Sequence, residues 1–96
     1  MKQMKARITF STKKDGFLEI FVNEAGRDLL VAELNGLNKT WDHFHFEPEE
    51  FSMGVPVQTI AYCDGDTIHG RGKVLFRPDE WDQEHFPHVL QTKQSD

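Results

Sequence analysis

One cysteine, Cys63, stands in the 96 residues of this chain, so no disulfide can close within it. Small secreted domains commonly depend on such bridges. No aliphatic run is longer than Leu29 to Ala32, far short of the ~20 apolar residues that span a bilayer. The opening MKQMKARITF carries charge but no apolar stretch of the secretory kind. These absences make a membrane role unexpected and point to a reducing cytoplasm. No G-x-S-x-G, P-loop or G-x-G-x-x-G fingerprint is present, and no cofactor is expected.

A general basic footprint is also missing. Net charge is −5, and it is unevenly spread. Lys2, Lys5, Arg7, Lys13 and Lys14 crowd the first fourteen residues, which hold no acid, so all 16 carboxylates lie beyond them. Nucleic-acid binding needs the opposite balance. An acidic surface suits steering toward a basic protein instead. The 38% apolar and 28% charged content is that of an ordinary globular chain. One domain is expected over residues 1–90, with 91–96 a disordered tail.

Hydropathy alternates in KARITFS, which places Ala6, Ile8 and Phe10 on one side of a half-buried strand. KKDG then predicts a hairpin turn. In FLEIFV, a solvent-facing Glu19 sends Leu18, Ile20 and Val22 inward. The period changes in NEAGRDLLVAELNGL, where Leu30, Val31, Leu34 and Leu37 share a helical face. Asn23 is suited to cap this helix, over about residues 24–35, and Gly36 to close it in a left-handed conformation. WDHFHFE, VPVQTIAYC and TIHGRGKVLFR read as three further strands, the last two joined at DGD. PDEWDQEH reads as an acidic turn or short helix. The predicted fold is α+β, order ββαβββ: an antiparallel sheet of about five strands with one helix on one face.

A two-residue loop at DGD decides which residues share a face. Val55, Val57, Ala61 and Cys63 then line the core with Ile68, Gly70, Gly72, Val74 and Phe76, the glycines leaving room for the helix. The other face collects Phe17, Phe21, Trp41, His43, His45, Ile60, Tyr62, Arg71 and Leu75, with Glu47, His69 and Lys73. One helix cannot cover both faces. A mixture of aromatic residues and arginine of this kind resembles an interface core. Two readings stay open. Either a second copy or another protein covers this face, or the C-terminal segment with Trp81 and Phe86 folds back over it.

H-x-H is the one arrangement with catalytic or metal-binding potential. His43, His45 and Glu47 alternate, so they project from one strand face about 6.5–7 Å apart. Two imidazoles so placed can share a metal ion, with Glu47, Asp42 or His69 as a third donor. The plainer reading is the wet side of a strand whose dry side is Phe44 and Phe46. The cupin pattern fails on glycine spacing, on Pro48 and on its missing second motif. Cys63 and His69 fall on opposite faces, which leaves Cys63 a core residue and no thiol nucleophile. His85 and His88 sit in a proline-containing turn, and DGD lacks the other ligands of a calcium loop.

The run from GFLEIFVN through EAGRDLLVAELNGL to DHFHF, with Gly26, Leu30, Leu34, His43 and His45, resembles small bacterial immunity proteins of polymorphic-toxin systems. It is similar also to uncharacterised proteins of mobile gene cassettes. The likeness covers about a third of the chain and ends where EPEEF begins. It implies a small non-enzymatic protein that binds another protein. The alternative function is a metal-binding protein or metal-dependent enzyme using the H-x-H strand.

Overall fold

The alternation in KARITFS does produce a hairpin. Strand β1 (Ile8–Thr12) pairs antiparallel with β2 (Leu18–Val22), from Ile8↔Val22 to Thr12↔Leu18. The turn closes where the Lys13 N–H donates to the Phe17 carbonyl at 2.9 Å. This computed structural model describes residues 5–51 and 54–91. Residues 92–96 of the expected tail, and Met53 in the loop between Pro48 and Pro56, lie outside the described residues.

Helix α1 (Glu24–Asn35) occupies the span expected of it. Asn23 caps it and also ties it to the sheet. Its Oδ1 accepts from the Gly26 N–H at 2.8 Å and from the Arg7 N–H at 2.9 Å. Its Nδ2 donates to the Lys5 carbonyl at 2.8 Å. A cap of this type contributes about 1 kcal/mol. Gly26 permits the close approach: a Cβ there would lie 2.4 Å from the Arg7 carbonyl oxygen. The buried stripe differs from the predicted one. Leu29, Leu30 and Leu37 pack on the core, whereas Val31 and Leu34 are about half exposed. Gly36 is right-handed at φ −81°, not left-handed. The chain leaves the helix through a tightened turn, with the Leu37 N–H on the Leu34 carbonyl, so no reversal of φ is needed.

The rest is α+β, but not one antiparallel five-stranded sheet. Strands β3 (His43–Pro48), β4 (Val55–Val57), β5 (Thr67–Ile68) and β6 (Gly72–Leu75) complete two three-stranded sheets, of order β2-β1-β5 and β4-β3-β6. The β3–β4 pair is parallel. Helix α2 (Asp79–His85) follows, then a 3-10 turn over Pro87–Leu90.

One edge of β1 explains the departure. The Gln58 N–H reaches the Ile8 carbonyl at 2.7 Å, and the His69 N–H reaches the Phe10 carbonyl at 2.9 Å. Farther along the same edge, Ser11 and Thr12 pair with β5. Two chain segments therefore divide a single edge, and residues 59–66 between them must leave the sheet. Hence VPVQTIAYC is a strand only to Val57, and Cys63 is exposed rather than buried. Ala61 is exposed as well. Asp66, Glu19 and Cys63, in that order of contribution among the charges around it, hold the Lys13 ammonium above the usual lysine range.

TIHGRGKVLFR likewise divides, its start joining β1 and its end joining β3. Gly72 faces Phe46 across the β3–β6 ladder, where a Cβ would lie 2.5 Å from the ring. It makes room for Phe46 and not for the helix. The Phe46 ring meets Phe10 of the other sheet at 4.2 Å between centroids. Around this contact lies a core of Ile8, Phe10, Phe44, Val55 and Val57, with Leu29, Leu30, Leu37 and Val74 packed against it.

Substitutions at two helix glycines separate these assignments. Gly36→Ala should be neutral or stabilise by up to about 1 kcal/mol, because its backbone is right-handed and a Cβ has ordinary space. Gly26→Ala should destabilise by about 1–3 kcal/mol despite alanine's helix propensity. Urea denaturation of both variants measures this; a loss of about 1 kcal/mol at Gly36 would restore the left-handed cap.

Candidate protein-binding surface

Strand β3 is anchored by its inner side. Phe44 is buried and Phe46 packs on the core, as the alternation predicts. The outer side then carries His43, His45 and Glu47, with Leu75 and Lys73 opposite the two histidines on β6. Trp41 enters the strand just ahead of them. Asn38 sets its backbone, its Oδ1 accepting from the Trp41 N–H at 2.8 Å and its N–H donating to the Trp41 carbonyl at 2.9 Å. Trp41 is 65% exposed and Leu75 45%. Large apolar groups thus stand beside imidazoles and a lysine on a backbone held from below.

The single aromatic face expected from the sequence is divided between the two sheets. Trp41, His43, His45 and Leu75 belong to the β3–β6 side, with Arg71 just ahead of β6. Phe21 lies on the reverse of the β1–β2 hairpin, where the Tyr62 ring stacks on it at 3.9 Å and 8°. The excursion over residues 59–66 therefore covers part of that side, and Ile60 and Phe17 remain exposed. Among the described residues of the C-terminal segment, Trp81 packs with His85 and Phe86, and Arg77 lies 4.3 Å over its ring.

The two imidazoles of H-x-H lie 5.2 Å apart between centroids. His43 Nδ1 is 2.9 Å from Asp42 Oδ1. Glu47 faces Arg71 at 3.5 Å, and His69 is hydrogen-bonded to Thr12 on the other sheet. Among the described residues no group of three His, Cys, Asp or Glu side chains is placed to hold a metal ion. The hydrogen bond from His43 and the Arg77 guanidinium, 3.5 Å away, draw the Asp42 carboxyl below the ordinary aspartate value.

Two grooves flank the surface. One, of about 480 Å³, is lined by Glu33, Trp41, His43, Phe44, His45 and Gly54. It brings α1 to the strand, a contact that no local pattern announces. The other, of about 200 Å³, lies between Asp42, Phe76, Pro78, Trp81 and Glu84, with Lys39 paired to Glu80 at its rim. The PDEW stretch was the visible signal for it, read only as a turn or short helix.

Compared with known proteins, the chain matches no family model, no curated protein and no solved structure. Among the described residues no helix is long and apolar enough to cross a membrane.

Because the folded carboxyl is more acidic than the unfolded one, the Asp42 contribution is present above the ordinary aspartate range and is lost as pH falls through the folded value. A carbon-detected titration should place Asp42 below 3.8. Arg77→Gln should move it upward, toward that value; an unmoved titration would remove Arg77 as a cause.

Proposed function

We propose that this chain is a small cytoplasmic, non-enzymatic protein that binds another protein through the outer face of β3 and β6. The observation that carries the reading is the exposure of Trp41 and Leu75 beside His43, His45 and Lys73, on strands whose inner side is fastened in the core. Interfaces combine apolar anchors with a polar rim in this way. Burial of each anchor would gain about 1.5–3 kcal/mol.

A basic partner fits the charge. Net charge is −5, and the first turn of α2 adds Asp79, Glu80 and Asp82 beside the groove at Trp81. That groove is lined by Glu84 beside Phe76 and Trp81, an acidic and aromatic lining that suits a basic side chain at its edge. Toxin neutralisation is the setting that the likeness to immunity proteins suggests. Nucleic acid and membrane are not partners in this reading.

Co-expression with the product of an adjacent gene, followed by co-purification, provides the test. Trp41→Ala and Leu75→Glu should each weaken a 1:1 complex at least tenfold while leaving the melting temperature within about 3 °C. Association should slow as salt rises. Undiminished binding by both variants would overturn the assigned surface.

A further inference from the structure

We infer that β2 is a homodimer contact, pairing antiparallel with β2 of a second copy about a two-fold axis at Ile20. This surface is separate from the β3–β6 face and does not depend on the function proposed for it.

Edge strands in folded proteins are usually protected. Three in this fold are. Strand β4 has three residues with Pro56 at its centre, and β5 has two residues. Strand β6 carries Lys73 and lies between Arg71 and Arg77. Strand β2 has no such device. Its five residues, LEIFV, include no proline and no base. Its one charge, Glu19, lies 3.8 Å from Lys13 of the same hairpin. Among the described residues β2 pairs only with β1.

The ladder also shows which backbone groups are on offer. Lys13 donates to Phe17 at one end of the hairpin and Asn23 to Arg7 at the other. With the Ile8↔Val22 register, Glu19 and Phe21 therefore turn their N–H and C=O groups toward β1. Leu18, Ile20 and Val22 turn theirs to the open edge. A two-fold axis at Ile20 sets Ile20 against its own copy and Leu18 against Val22. It makes about six backbone hydrogen bonds, all between outward-facing groups. Shifting the axis to Glu19 would oppose two carboxylates.

The side chains agree with that register. Leu18, Ile20 and Val22 lie on the face shared with Ile8 and Phe10, yet they are 57%, 50% and 40% exposed. Their predicted direction was correct and their predicted burial was not: α1 packs on the core through Leu29, Leu30 and Leu37 and leaves these three side chains about half exposed. Val31 and Leu34 are exposed on the helix that packs on this side. Leu18, Ile20 and Val22 would meet the same three side chains of the second copy along the paired strands, and the outward backbone groups complete the contact. Pairing would join the two hairpins into one continuous sheet, as an isologous contact requires.

Light scattering on the purified chain tests the inference. At about 100 µM the mass should be near twice 11.2 kDa. Ile20→Lys and Ile20→Glu should each be monomeric with unchanged far-ultraviolet dichroism, and an equimolar mixture should recover the dimer. Trp41→Ala should stay dimeric, which separates this contact from the β3–β6 face. In the wild type, amide exchange at Leu18, Ile20 and Val22 should slow with concentration, with Glu19 and Phe21 unaffected; this stands even if the Ile20 variants fail to fold. A wild-type mass near 11.2 kDa, a dimer that survives both charges, or exchange at these amides independent of concentration would overturn it.

Discussion

The shared edge of β1 is the constraint on which the rest of the structure depends. β2 occupies one side of that strand for its full length. The other side is divided between Gln58 and β5. Both faces are closed as well: Ile8 and Phe10 are buried on the core side, Thr9 and Ser11 on the reverse. A strand enclosed on both faces and both edges is where the largest share of buried backbone hydrogen bonding can be concentrated. The Phe10–Phe46 ring contact then carries the β3 sheet on it.

From that arrangement the surface follows. A single 12-residue helix, tied at Asn23 to the residues just ahead of β1, packs on the core and leaves the outer strand β2 half exposed. Among the described residues the chain keeps large apolar side chains in water both beside the outer strands β3 and β6 and along β2. Monomeric proteins seldom leave such groups grouped and exposed without a use. The acidic α2 and its aromatic groove lie near Asp42 on the first of these surfaces, which gives that surface a charge preference that β2 lacks.

Local features were legible. Asn23, Glu24 and the leucine spacing announced α1, and alternation alone placed Phe44 and Phe46 inside with His43 and His45 outside. Alternation states which side a residue takes, but it does not name the neighbouring strand. The parallel β3–β4 pairing and the passage of residues 67–75 from one sheet to the other depend on contacts far apart in sequence. Assuming a hairpin at DGD placed Cys63 inside and merged two surfaces into one face. The same limit hid Glu33 and Trp81: each reaches its groove through tertiary packing, not through spacing. Gly36 illustrates a smaller ambiguity, since glycine after a helix permits a left-handed cap without requiring one.

Native-state amide exchange reads the joint at β1 most directly. The Gln58 and His69 amides should exchange only through global unfolding, with the same free energy as the slowest amides of β1. Fast exchange at Gln58 and His69, while the β1–β2 ladder stays protected, would contradict it: the two sheets would then open independently, and β1 would not be the element that unites them.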